Sequence, residues 1–130
     1  MIGFAKFDVT RSLYGRQCIT NKIQRICQRH SFFYRKLKQN GVESALISQL
    51  LRCGTSVGAN VHEAQYAQGT KDFISKLEIA LKECNESEYW LELLYETDSI
   101  VEAEFKYFQI KCIELRRMLV SSVTTLKSKN

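Results

Sequence analysis

The sequence contains no proline and only six glycines in 130 residues. Proline and glycine are the strongest breakers of regular structure, so a chain with so few of them has few places to end a helix. Extended runs rich in glycine and β-branched residues, which are typical of all-β proteins, are also missing. These absences favour one all-α domain over residues 1–130, and we find no internal repeat or low-complexity linker that would divide it.

Long apolar runs are missing as well. No stretch of about 18 apolar residues is present, which is what a membrane-spanning helix needs. The start of the chain, MIGFAKFDVTRSLYGR, lacks the apolar segment and small-residue cleavage site of a secretory signal. We therefore expect a cytoplasmic protein without a membrane partner.

Cysteine is present in an odd number and without close pairs. The five residues are far apart and none forms a Cys-x-x-Cys pair: Cys18, Cys27, Cys53, Cys84 and Cys112. A zinc site or a disulfide framework needs closer and more regular spacing. Each cysteine falls on or beside an apolar stripe, so we expect buried free thiols that pack as small apolar groups, and no metal or other cofactor.

Apolar residues recur at steps of three and four in four segments, which predicts helices at about residues 10–39, 43–67, 71–97 and 101–127. The Asn40-Gly41 pair predicts a left-handed end to the first helix, and Asp98-Ser99 a break before the fourth. Four amphipathic helices with short connections predict an antiparallel, up-down-up-down four-helix bundle. His30 falls on the core stripe of helix one, where we expect a histidine with satisfied hydrogen bonds.

The second predicted helix carries Gly54 and Gly58 four residues apart, although a glycine inside a helix costs about 1 kcal/mol relative to alanine. Both fall on a strip beside the apolar stripe, where missing side chains would let another subunit approach. A polar ladder lies next to them, formed by Arg52, Ser56, Asn60 and Glu63. We interpret these six residues as setting an oligomer interface or helix register; the alternative for Asn60 and Glu63 is a ligand or nucleic-acid site.

The same region carries a resemblance to a known family. The run from Arg52 to Ala64, RCGTSVGANVHEA, is followed by Lys71-Asp72-Phe73, Ile79-Ala80 and the pair Glu86 and Glu88. This pattern resembles the four-helix bundle proteins first recognised in intervening sequences of large-subunit ribosomal RNA genes. His62 and Ala64 stand where that family usually has Ala and Gly, so we expect the turn after helix two to lie later, at Gly69.

The resemblance implies a small antiparallel bundle that assembles into a ring-like homo-oligomer, a homopentamer, with no enzymatic activity assigned. A distantly similar protein is the accessory variability determinant of diversity-generating retroelements, a basic pentamer that works with a reverse transcriptase and nucleic acid. The resemblance therefore also implies an accessory or scaffold role. Relationship alone does not establish a function.

Positive charge is concentrated in helix one and at the C-terminal end, where residues 101–130 hold six Lys and Arg against three acidic residues. Residues 1–41 hold nine Lys and Arg against one Asp, whereas residues 42–100 hold four against ten acidic residues. A basic strip with aromatic residues among its charges attracts phosphate backbones and can stack bases. We therefore predict contacts with a nucleic acid, RNA or DNA, at seven residues: Lys22, Arg25, Arg29, Tyr34, Arg35, Lys36 and Lys38. The alternative is a solvated basic face that pairs with the acidic third helix.

Known catalytic patterns are not found. A di-iron or di-manganese bundle needs Glu-x-x-His pairs, and neither His30 nor His62 has a Glu three residues before it. No phosphate-binding glycine motif follows a predicted strand. We predict a non-enzymatic scaffold or accessory protein; the alternatives are a protein–protein adaptor without a nucleic-acid role and a small enzyme.

Overall fold

Four α-helices make up most of residues 9–129, the part of the chain that the computed structural model describes; side chains are described for residues 21–129. They are α1 (Val9–Gln39), α2 (Ser44–Ala64), α3 (Thr70–Glu96) and α4 (Glu102–Ser128). The described residues contain no β-strand. None of these helices is long and apolar enough to cross a membrane, as far as the described residues show.

Ion pairs between helices show that the paired helices run in opposite directions. Lys22 pairs with Glu114 and Lys36 with Glu104, so α1 and α4 are antiparallel. The pairs that join α2 to α3 and α3 to α4 follow the same rule: Arg52 with Glu86, Glu63 with Lys76, Lys127 with Glu78 and Arg116 with Glu88. The prediction of an all-α antiparallel four-helix bundle is confirmed, and the ring-like homo-oligomer stays a prediction.

The predicted apolar stripes form one core between the helices. On α1 the buried side chains Ile23, Ile26, His30, Phe33 and Leu37 follow the predicted spacing; the side chains of Cys18 and Ile19 lie outside the described residues. On α2 Ile47 is fully buried, whereas its neighbour Leu46 is only partly buried. On α4 Val123 is buried beside the half-buried Ser122, so the core continues past that polar position.

Two connections contain a left-handed residue at the predicted break. Gly41 has φ +76°, the Val42 N–H donates to the Leu37 carbonyl at 3.2 Å, and the Gly41 N–H donates to the Lys38 carbonyl at 3.3 Å. This is the Schellman arrangement that ends many helices. Asp98, with φ 57°, repeats it after α3, where the Ser99 N–H donates to the Leu94 carbonyl at 2.8 Å. Aspartate tolerates this conformation better than most residues.

The end of α2 differs from the prediction. We expected the turn at Gly69, but α2 ends at Ala64, the position at which the resembling family usually has glycine. The chain leaves the helix through tighter bonds, since the Gln65 N–H donates to His62 O at 3.2 Å and the Tyr66 N–H to Glu63 O at 2.9 Å. Gln65 keeps a right-handed helical conformation, so this turn needs no glycine. Gly69 instead precedes the first residue of α3.

Gly54 and Gly58 face α1 of the same chain, which corrects their predicted position on a separate strip. A Cβ atom on Gly54 would lie 3.0 Å from His30 Nδ1, and one on Gly58 would lie 2.9 Å from Cys27 Sγ. The Cys27 thiol also lies 3.4 Å from the Gly54 carbonyl oxygen. The two glycines therefore allow the backbone of α2 to approach side chains of α1 closely. This contact explains both residues without a second subunit.

Replacing both glycines by alanine tests that explanation. We expect Gly54→Ala/Gly58→Ala to lower the free energy of unfolding by about 1 to 3 kcal/mol, because the added methyl groups overpack the contact with α1. The loss should appear in urea unfolding even though alanine favours a helix by about 1 kcal/mol per site.

Ala59→Leu is the control, because Ala59 is exposed on the same helix. This larger addition should change the free energy of unfolding by less than about 0.5 kcal/mol. A double alanine variant more stable than the wild type would show that the glycines are not needed for the approach of α1.

Candidate nucleic-acid interface

Most of the predicted basic strip on α1 is free of ion pairs. Two of its lysines are paired with α4: Lys22 Nζ lies 3.6 Å from Glu114 and Lys36 Nζ lies 3.1 Å from Glu104. The other four cations are exposed and form no ion pair with the described side chains: Arg25, Arg29, Arg35 and Lys38. Unpaired cations on one helix leave a net positive surface that attracts anions.

Four acidic residues of α3 form ion pairs with other helices. Arg52 of α2 binds Glu83 at 3.4 Å and Glu86 at 2.5 Å, and α4 supplies Arg116 to Glu88 and Lys127 to Glu78, both at 2.5 Å. Between the described side chains, no ion pair joins α1 to α3. The alternative that the basic face of helix one pairs with the acidic helix three is therefore wrong for this part of the chain.

The exposed aromatic residue on this strip is not the predicted one. Tyr34 is partly buried and packs against the core. Phe32, two residues earlier, is 68% exposed, and the Arg35 guanidinium lies 5.8 Å from the centre of its ring. Phe33 lies on the buried stripe, so Phe32 and Tyr34 point about 100° to either side of it. The spacing alone does not show which of these two sides a neighbouring helix covers.

Aromatic rings fill the space between α1 and α4. The backbones of these two helices stay farther apart than those of the other adjacent pairs. Phe108 of α4 bridges the gap, with its ring centre 4.7 Å from that of His30 and 4.6 Å from that of Phe33. Rings at such separations pack favourably beyond the area that they bury.

A groove opens to solvent beside these rings, and we call it the α1–α4 groove. It encloses about 670 Å³. Its lining residues are Arg25, Gln28, Arg29 and Phe32 from α1 and Ala103, Glu104, Tyr107 and Phe108 from α4. This volume lies in the range of small-molecule and cofactor sites, and the lining combines apolar rings with a few polar groups, as such sites do.

Tyr107 holds a cation at this groove. The Arg29 guanidinium carbon lies 5.4 Å from the centre of the Tyr107 ring, and the Lys111 ammonium lies 5.7 Å from it. Both distances are within the range of cation–π attraction. Sequence reasoning missed Tyr107 and Lys111 because they come from α4, and the sequence does not indicate which side chains of helix four face helix one.

The polar ladder on α2 lies on the side that faces α3. Arg52 and Glu63 join α2 to α3 through the ion pairs of Arg52 with Glu83 and Glu86 and of Glu63 with Lys76 at 2.7 Å. Asn60 donates to the carbonyl and the hydroxyl of Ser56, one turn earlier on the same helix. These contacts fit a role in register between helices of one chain; a role between subunits stays a prediction.

Hydrogen bonds distinguish the two carboxylates that Arg52 contacts. Donation from Arg52, and at 3.2 Å from the Trp90 indole N–H, lowers the pKa of Glu86. Burial raises the pKa of Glu83, and the charge of Arg52 only partly opposes this. Arg52 therefore acts mainly as the partner of Glu86. Arg52, Glu83 and Glu86 together form a structural contact between α2 and α3.

The described cysteines are free thiols packed in the interior. Cys53, Cys84 and Cys112 are buried and Cys27 is half-buried. Burial raises the pKa of Cys27 and Cys53, which keeps them as unreactive thiols. The Cys84 thiol donates to the Cys112 backbone carbonyl at 3.4 Å. The neighbouring Cys84 side chain and burial raise the pKa of the Cys112 thiol. Among the described residues no group of three His, Cys, Asp or Glu side chains is placed to hold a metal ion.

His30 lies at the meeting point of α1, α2 and α4, and its surroundings correct the expectation of a satisfied histidine. It is 5% exposed, and neither ring nitrogen has a hydrogen-bond partner among the described residues. Its ring is stacked on Phe108, with 15° between the planes, and faces the missing Cβ of Gly54. Burial lowers the pKa of His30 to about 4. The side chain is therefore neutral in the folded protein at neutral pH.

This burial predicts acid sensitivity. The unfolded chain binds a proton at His30 below about pH 6.5, whereas the folded chain does so only near pH 4. Protonation of His30 in the unfolded chain therefore does not affect the free energy of unfolding above pH 6.5. As the pH falls from 6.5 to 4, this protonation lowers the free energy of unfolding by about 3 kcal/mol. We expect His30→Leu to remove this part of the pH dependence in urea unfolding followed from pH 7 to pH 4.

His62→Leu is the control, since His62 is exposed on α2. This variant should keep the wild-type pH dependence. Equal slopes for His30→Leu and the wild type over this pH range would contradict a buried neutral His30.

Comparisons with known proteins agree with this architecture. The sequence model of the family described as 23S rRNA-intervening sequence protein matches residues 18–121. A crystal structure of a protein of unknown function from the S23 ribosomal protein family of Bacteroides thetaiotaomicron is 38% identical to this chain, with a TM-score of 0.82. The similarity covers 85% of this chain and 98% of that one. No curated protein matches the chain.

Proposed function

The chain belongs to the 23S rRNA-intervening sequence protein family, and from this premise we propose that it is a non-enzymatic accessory protein that binds RNA through the basic face of α1. The observation that carries the proposal is the set of unpaired cations on that helix. Arg25, Arg29, Arg35 and Lys38 have no acidic partner among the described residues, and the four acidic residues of α3 that form ion pairs do so with α2 and α4. A phosphate backbone would supply the missing counter-charges.

The proposal excludes catalysis because His30 and the described cysteines are placed for packing. His30 is sealed in the core and the cysteines for which side chains are described lie in the interior. A general base must reach the proton that it removes, and His30 has only 5% of its surface exposed. The relatives are described without an enzyme name. The proposal also places the protein in the cytoplasm, where an accessory factor would meet RNA.

Binding of RNA predicts a measurable salt dependence. The affinity for a labelled 12-nucleotide single-stranded RNA should fall steeply as the salt concentration rises, because each phosphate contact releases counterions. Arg25→Gln/Arg29→Gln should reduce the slope of log K against log salt by about 1.4, which is about 0.7 for each lost contact with a single strand. Fluorescence anisotropy titrations from about 25 to 200 mM salt measure both quantities.

The chain offers a control with the same loss of charge. Lys71 and Lys82 are exposed on α3 and form no ion pair with the described side chains, so Lys71→Gln/Lys82→Gln also removes two positive charges. This control should keep the wild-type slope. Equal effects of the two double variants would show that net charge, rather than the face of α1, attracts the RNA. Absence of wild-type binding at the lowest salt concentration would contradict the function itself and leave the protein–protein adaptor as the better account.

The proposal includes assembly into a ring-like homo-oligomer, for which we take a homopentamer as the subunit number. Apolar side chains remain exposed on the two helices of the chain that lie away from the α1–α2 contact: Ile79 and Tyr89 on α3, and Ile110 and Val120 on α4. A contact with another copy of the chain would remove these side chains from water. In a ring the positive faces of several copies would add, which would strengthen attraction of RNA. The molar mass from light scattering should be five times the 15.1 kDa of one chain. A molar mass equal to that of one chain would contradict assembly.

A further inference from the structure

We propose that the α1–α4 groove binds a base of single-stranded RNA, with Phe32 as the ring on which the base stacks. This inference rests on the proposed function and names a site for it. Phe32 is 68% exposed at the edge of the groove, although a phenylalanine at such a position leaves a large apolar surface in water. Stacking against a base covers such a ring regardless of the base's identity.

Cations surround this ring on one face of α1. Arg25, Arg29 and Phe32 are separated by four and three residues, so their side chains lie along one stripe of the helix and line the same groove. Arg35 lies over the Phe32 ring at 5.8 Å. A strand whose base stacks on Phe32 would therefore have its flanking phosphates near two or three guanidinium groups.

Tyr107 has a separate role as a positioning residue. It holds the Arg29 guanidinium at 5.4 Å over its ring, and Lys111 lies at 5.7 Å from the same ring. A cation held in advance loses less side-chain entropy when it binds a phosphate. Glu104, the carboxylate that lines the groove, is neutralised by Lys36 at 3.1 Å and accepts from the Val101 N–H at 3.4 Å. The groove thus presents positive charge and apolar rings together.

This combination favours a single strand over other occupants. In a duplex the bases are stacked on each other, so a duplex would use the cations but not Phe32. An acidic peptide would satisfy the charges without needing an exposed aromatic ring beside the guanidinium groups. Single-stranded RNA uses both the cations and the exposed ring. The base and sugar of one or two nucleotides would fill the groove of about 670 Å³.

The test compares Phe32→Ala with Tyr66→Ala, since Tyr66 is 70% exposed and lies in the connection between α2 and α3. Anisotropy titrations use a fluorescein-labelled uridine 12-mer and a 12-base-pair RNA duplex. We expect Phe32→Ala to weaken binding of the 12-mer about 10-fold at every salt concentration with an unchanged salt slope. Binding of the duplex should not change, and Phe32→Tyr and Tyr66→Ala should bind the 12-mer like the wild type.

Several results would overturn the inference. Unchanged binding of the 12-mer by Phe32→Ala, or an equal loss for the 12-mer and the duplex, would remove Phe32 from the site while the proposed function stands. A fall in the light-scattering mass of Phe32→Ala would assign the ring to a contact between copies of the chain. Tighter binding of an aspartate- and glutamate-rich peptide than of the 12-mer would assign the groove to a protein partner. If the wild type binds neither RNA, the proposed function fails as well, and this outcome is distinct from the others.

Discussion

The close approach of α1 to α2 is the constraint on which the rest of the molecule depends. Gly54 and Gly58 leave no side chain at the contact, so Cys27 and His30 pack directly against the backbone of α2. Because α1 packs closely against α2, a wider gap remains between α1 and α4, and aromatic rings fill it. Phe33, Phe108 and His30 fill the interior part of that gap, and the α1–α4 groove is its solvent-facing part.

The distribution of charge follows from the same arrangement. The helices α2, α3 and α4 exchange ion pairs with one another through Arg52, Lys76, Arg116 and Lys127, which neutralise acidic groups of α2 and α3. Helix α1 has only two ion pairs with α4 among the described side chains and keeps its other cations exposed. In this chain of net charge +5, the exposed cations without an ion pair among the described side chains are therefore most numerous on α1, next to the groove. Surface ion pairs contribute little to stability, so their main effect here is on where the positive field remains.

Much of the fold could be predicted from the sequence because local signals and burial agree. The stripe from Ile23 to Leu37 is the buried face of α1, and the breaks at Gly41 and Asp98 lie where left-handed residues end α1 and α3. The end of α2 could not be predicted, because a turn made of right-handed residues needs no glycine and leaves no signal in composition.

The site was harder to predict because it is made by two helices that are distant in the sequence. The cations of α1 were visible as a run of charge, but which of them stay unpaired depends on Glu104 and Glu114 of α4. Tyr107 gave no signal of its own. The exposure of Phe32 rather than Tyr34 depends on which side of the buried Phe33 is covered by a neighbouring helix, and residue spacing does not show this.

Photochemical cross-linking is the most direct test of the central claim, which is that the surface between α1 and α4 receives RNA. A uridine 12-mer containing 4-thiouridine is irradiated with the wild-type protein, and the tryptic peptides that carry nucleotide mass are identified. The account predicts cross-links to peptides 30–35 and 107–111, which contain Phe32 and Tyr107. Cross-links confined to peptide 53–71, which carries the exposed Tyr66 of the connection between α2 and α3 and no residue of the groove, would contradict it.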